Sequence, residues 1–168
     1  TFTILWMYCF FMFSRAGPRY FLGSNSAGFV ANNLTSGQIS YSYVRGMDNT
    51  NLTNPYSTGR VIEGKSNAII AGFVFENNGS INDCYVNTEL KTNSAYIAGF
   101  VYNHAAGIIK NSYAATTMNS GTISSSRDNA EQPFVGKDAK NQYLAAGEFE
   151  NTYYLLKDNE IGNTEYVG

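Results

Sequence analysis

An all-β fold, a right-handed parallel β-solenoid of about 3–5 coils with two loop insertions, follows from three observations. The composition favours strands: 43% of residues are hydrophobic and 15% aromatic, and much of the remainder is Asn, Ser, Thr and Gly, which are poor helix formers and good turn formers. A short phrase recurs: Ala71-Gly72-Phe73-Val74 leads to Cys84-Tyr85-Val86, and Ala98-Gly99-Phe100-Val101 leads to Ser112-Tyr113-Ala114. The spacing recurs with it, since each Gly lies 27 residues, and each Tyr 28 residues, from its counterpart. An antiparallel β-sandwich also has many short strands, but it does not explain why order and spacing recur together.

Length and charge bound the rest. The 168 residues suffice for one domain with a core. A net charge of -2, with 14% charged residues, supplies no basic stripe for phosphates, which disfavours nucleic acid as a partner. Cys9 and Cys84 make neither a disulfide framework nor a metal site, and both read as small buried apolar residues rather than a bridged pair.

In chain order, residues 1–26 form an apolar N-terminal segment. Its run Ile4 to Phe13 is too short to span a bilayer, which takes about 20 residues, and reads as strands that cap or dock on the core, or as the end of a signal peptide. Residues 27–154 hold the repeats. The first copy is Ala27-Gly28-Phe29-Val30 with Ser42-Tyr43-Val44. Residues 48–57 form a polar loop, and Gly59 to Gly64 resumes a strand. Residues 119–132 read as a second loop. Phe134-Val135-Gly136 and Phe149 to Tyr154 look like the start and end of a degraded fourth copy, and residues 155–168 are a polar tail.

Stacking equivalent positions about 4.8 Å apart aligns three columns: Phe29, Phe73 and Phe100; Tyr43, Tyr85 and Tyr113; Ile39, Ile81 and Ile109. All three are expected inside, with two or three strands per coil. The Gly before each Phe allows a corner or close backbone approach, and Asn in the turns tolerates left-handed backbone and can form amide ladders.

The phrase resembles the GLUG-motif repeats of bacterial and protist surface proteins. Ile109-Lys110-Asn111-Ser112-Tyr113 fits its second half closely, Ile81-Asn82-Asp83-Cys84-Tyr85 has Asp for Asn, and Phe149-Glu150-Asn151-Thr152-Tyr153 has Phe for Ile and Thr for Ser. Phe replaces Leu throughout, and Ala31, Phe75 and Tyr102 replace the motif's final Gly, which only Gly136 keeps. The resemblance implies a β-solenoid on a secreted or surface protein, with adhesin-like relatives and no catalytic residues to carry over.

The sequence offers no catalytic, cofactor-binding or metal-ligating set. His104 is the single histidine and reads as an exposed turn residue, which excludes a triad or multi-His site by count. The pairs Asp83 and Glu89, and Glu148 and Glu150, do not recur in a way that places two carboxylates on adjacent coils. Asp48, Asp128, Asp138 and Asp158 lie in loops without a calcium-loop pattern. Tyr41, Tyr56, Tyr96, Tyr102 and Tyr143 are candidates for an exposed glycan- or protein-binding face. Asn33, Asn51 and Asn78 head N-x-S/T triplets, candidate glycosylation sites in a secreted eukaryotic chain.

The expected function is a non-enzymatic structural or adhesive β-solenoid module of an extracellular surface protein or filament. Its partners would be further solenoid repeats or other chains end to end, with glycans a further candidate; no membrane span is expected in this chain. Loops 48–57 and 119–132 would carry contacts. The alternatives are a carbohydrate-active or glycan-binding β-helix, and a phage or injection-device fibre segment.

Overall fold

The computed structural model describes residues 25–45, 61–63, 68–91, 96–119, 131–155 and 161–163. The apolar run 4–13, Cys9, Asn51, Tyr56, loop 48–57 and most of loop 119–132 lie outside them. The described residues are all strand and turn, with no helix.

The strands fall into four tiers. The first holds β1 (Asn25–Ala27), β2 (Val30–Asn33), β3 (Gln38–Ser40), β4 (Tyr43–Arg45) and β5 (Val61–Glu63). The second holds β6 (Ile69–Ala71), β7 (Val74–Asn77), β8 (Ser80–Asn82), β9 (Tyr85–Asn87) and β10 (Glu89–Lys91). The third holds β11 (Ile97–Ala98), β12 (Val101–His104), β13 (Ile108–Ala114) and β14 (Thr117–Asn119). The fourth holds β15 (Glu131–Gln132) and β16 (Glu148–Leu155), and β17 (Ile161–Asn163) follows. The second tier thus has five short strands where two or three were expected, because the chain bends at Gly72-Phe73, Asn78-Gly79 and Asp83 and breaks once more at Thr88.

Between tiers, every strand pair is parallel and joins like positions. Val30 pairs with Val74 and Val74 with Val101; Ile39 pairs with Ile81 and Ile81 with Ile109; Ile109 pairs with Phe149. Glu89 pairs with both Val61 and Thr117. The largest sheet has seven strands and curls strongly, since β13 runs past a corner and pairs with both β8 and β9. Antiparallel pairing occurs between β16 and β17, in the stretch expected to be a polar tail, and at the bridge Lys137–Tyr143. Among the described residues, the pairing a sandwich requires is therefore absent between the tiers.

Side chains of like position stack into the core. Phe29, Phe73, Phe100 and Phe134 form one column, with centroids 5.0, 4.9 and 4.6 Å apart. Phe73, Phe100, Phe134, Ile81 and Ile109 are fully buried. Offset-stacked rings at this separation add to the burial itself. The glycine column beside them is obligatory: a Cβ on Gly28 would strike the Gly72 carbonyl, one on Gly72 the Gly99 carbonyl, and one on Gly99 the Pro133 carbonyl.

The corner after β3, β8 and the equivalent point in β13 and β16 is left-handed. Tyr41 (φ 51), Asp83 (φ 53), Asn111 (φ 46) and Asn151 (φ 52) occupy it in successive tiers. Asn and Asp tolerate this conformation; a bulky Tyr is disfavoured there. The next residue, Ser42, Cys84 or Ser112, ties the corner by donating from its side chain to the carbonyl two residues back, at 3.0, 3.1 and 2.7 Å. This is why the phrase requires a small residue with a polar hydrogen before each Tyr.

Candidate functional site

The left-handed corner decides which residues face out. Ile81 points in, Asn82 and Asp83 are half-buried, and after the turn Cys84 and Val86 point in while Tyr85 points out. The same holds for Ile109, Ser112, Tyr113 and Ala114. The tyrosine column therefore corrects the interior expectation: Tyr43 is 59% exposed and Tyr113 44%. It does stack, with ring centroids 5.0 Å apart from Tyr43 to Tyr85 and 5.1 Å from Tyr85 to Tyr113, and planes within 5°. Tyr153, also exposed, takes the paired position in β16.

Beside this column runs an exposed amide ladder. Asn151 Nδ2 donates to Asn111 Oδ1 at 3.2 Å, and Asn111 Nδ2 donates to Asn82 Oδ1 at 3.3 Å. Lys110 and Glu150, paired in register, form an ion pair at 2.6 Å. The outer face of β3, β8, β13 and β16 with β4 and β9 is thus a ranked surface of phenols, amides and one ion pair. Burial raises the Tyr113 phenol pKa and Tyr85 adds to the rise, with Arg45 opposing, so Tyr113 keeps its proton near neutral pH.

His104 is also a correction. It is completely buried, at the inner end of β12, in register with Asn77 and Asn33. Asn33 Nδ2 donates to Asn77 Oδ1 at 2.7 Å, and Asn77 Nδ2 donates to His104 Nδ1 at 3.0 Å. Nδ1 must accept, so Nε2 carries the proton and donates to the Glu148 carbonyl at 3.0 Å. Burial lowers the His104 pKa, against smaller opposing contacts from the Glu148 and Asn77 backbones. Gly147 leaves room for the ring, since a Cβ there would strike it. Buried polar groups persist when they find partners, and this ladder runs unbroken from Asn33 through Asn77 and His104 to the Glu148 carbonyl. Its signal in the sequence was the alignment of His104 with Asn77, one phrase earlier.

The other candidates scatter. Asn33 is 5% exposed and hydrogen-bonded inside, which removes it as a glycosylation acceptor; Asn78 is half-buried and donates to Glu76 at 3.0 Å. Tyr102 is 9% exposed, stacks on Phe75 and donates its hydroxyl to the Lys137 carbonyl, so it is not an exposed binding residue. Tyr96 is half-buried, while Tyr41 and Tyr143 are exposed, the latter under the Lys137 ammonium. Cys84 is buried and unbridged, and burial raises its thiol pKa. Asp83 sits at the corner after β8 and Glu89 on β10, in different sheets; Glu148 and Glu150 are both on β16, and Glu150 is engaged by Lys110. Asp138 accepts from the backbone N–H groups of Lys140 and Gln142 and so shapes a turn. Among the described residues no cluster of three or more His, Cys, Asp or Glu could hold a metal ion. No helix among them is long and apolar enough to cross a membrane.

Comparison of the chain with protein-family models, with characterised proteins and with solved structures finds no match.

Proposed function

We propose that the chain is a non-enzymatic structural module, a short right-handed β-solenoid of an extracellular surface protein or filament. The observation that carries this reading is the parallel pairing of like positions between tiers, which runs the phenylalanine, isoleucine and glycine columns through the stack. Parallel crossover connections are right-handed as a rule, which supplies the hand. Backbone ladders and side-chain columns together make a stiff rod, and the resemblance to GLUG-motif surface proteins points the same way.

The two ends of the stack formed by the described residues differ, which supports end-to-end partners on one side. At the first tier Phe29, Val30, Ile39 and Val44 are only half-buried, although Phe73, Val74, Ile81 and Val86 below them are fully buried. At the fourth tier Pro133 stands in the glycine column, where it has no N–H to donate and its ring takes the space a further carbonyl would need. There β17 also pairs antiparallel along β16. Further coils would therefore add at the first tier and not at the fourth.

A duplication tests the solenoid. A second copy of residues 72–98 inserted after Ala98 should add one tier, raising both the denaturation midpoint and the m-value of a single cooperative transition. An insert that lowers the midpoint or unfolds separately would overturn it. New reducing ends released from polysaccharides by the purified protein would replace the structural reading with the carbohydrate-active one.

A further inference from the structure

We propose that the column Tyr43–Tyr85–Tyr113 is an oxidative cross-linking site, where a peroxide-driven one-electron oxidant couples neighbouring phenols into dityrosine and joins successive tiers covalently. The proposal rests on the strand register and ring geometry and not on the adhesive reading. Register places Tyr85 directly between Tyr43 and Tyr113, and the rings lie 5.0 and 5.1 Å apart and nearly parallel. Their faces are turned to one another, so Tyr85, between the other two, offers no face to a sugar, whereas Tyr43 and Tyr113 stay 59% and 44% exposed. Each phenol thus has a second phenol beside it, which converts an otherwise bimolecular coupling into a local one. The adjacent thiol of Cys84, a group that would reduce a phenoxyl radical, is buried on the opposite side of the strand. The other aromatic columns lack the chemistry: one is all Phe, and Tyr102 is buried against Phe75 with its hydroxyl engaged.

The step balances with hydrogen peroxide as the oxidant. Two tyrosines each lose one electron and one proton, giving two phenoxyl radicals. These join through a bond between ortho carbons, and the two ring hydrogens then move to the oxygens through solvent, restoring both aromatic rings. The two electrons and two protons reduce one peroxide to two waters.

The test is treatment of the purified chain with a haem peroxidase and hydrogen peroxide, read by dityrosine fluorescence and by peptide mapping. The expected product is a monomer lighter by two hydrogens, formed independently of protein concentration, with its links between ladder neighbours. Tyr41, 82% exposed, should not enter intramolecular links, because Asp83 and Asn111 hold its position in the next two tiers. Tyr85→Phe, which keeps the ring, should lower the intramolecular linking of Tyr43 about tenfold or more, and Tyr41→Phe should leave it unchanged. Links that follow exposure to Tyr41, products that are only concentration-dependent dimers, undiminished linking of Tyr43 in Tyr85→Phe, or no linked product in the parent chain would each overturn the proposal. None of these outcomes bears on the duplication experiment, which reads unfolding.

Discussion

Two aromatic columns cross the same tiers at the same spacing, yet they do different things. The phenylalanine column has no exposed surface at Phe73, Phe100 and Phe134, whereas the tyrosine column leaves Tyr43 and Tyr113 59% and 44% exposed. Ring separations are alike, near 5 Å in both. Stacking is therefore not what separates them. Burial is, because the apolar area withdrawn from water dominates an aromatic residue's contribution and stacking adds a smaller part. The inner column holds the fold, and the outer one is left free for chemistry at the surface.

Truncation should separate the two columns most sharply. Phe100→Ala should cost about 3–5 kcal/mol and leave the chain at or below its folding threshold, while Tyr85→Ala should cost roughly 1 kcal/mol. Urea denaturation of the two variants measures the gap, and equal losses would erase the distinction between the columns. Gly72→Ala comes next. Its methyl would strike the Gly99 carbonyl, and forcing the tiers apart should cost about 1–3 kcal/mol, seen as a lower midpoint in the same titration.

The interior ladder supplies a pH test. The buried His104 is held neutral, and its pKa lies below the usual value. The unfolded chain therefore binds more protons as pH falls below about 6.5. Stability should be full above that pH and decline as acid is added, because the unfolded chain takes up a proton that the native ladder cannot. His104→Asn, which restores the residue found at Asn33 and Asn77, should flatten this decline in thermal melts between neutral and mildly acidic buffer. An unchanged slope would show that other groups set it.

The smallest effect concerns the outer corner. Tyr41 occupies the left-handed position that Asn111 and Asn151 fill in later tiers, so Tyr41→Asn should stabilise by about 1 kcal/mol, in line with the left-handed cost of a non-glycine residue. A loss of stability instead would mean that the exposed ring of Tyr41 makes contacts that outweigh its backbone strain.

The recurring phrase made much of the inner architecture legible. Phe29, Phe73 and Phe100 stack as their spacing requires, as do Ile39, Ile81 and Ile109, and the degraded fourth copy was visible in Phe134 and Phe149. The outer column was misplaced because stacking of like positions does not say which face a column occupies, and strand alternation counted from Ile81 would also put Tyr85 inside. That count fails at Asp83, where a left-handed residue turns the chain and restarts the alternation. His104 was misplaced for a related reason: alone in the sequence it resembles a turn residue, and its neighbours Asn77 and Asn33 lie 27 residues or more away. The strand β17 left no signal, since three residues in a polar tail pair only once β16 offers an edge.

Composition and period by themselves determined that this chain forms short β-strands and that like positions meet, because strand propensity and a repeated apolar spacing are local properties. Which face each residue occupies was decided only by the tertiary structure. The corner backbone, the glycine column and the mutual satisfaction of Asn33, Asn77 and His104 depend on tiers lying against one another, and no single stretch of sequence contains that contact.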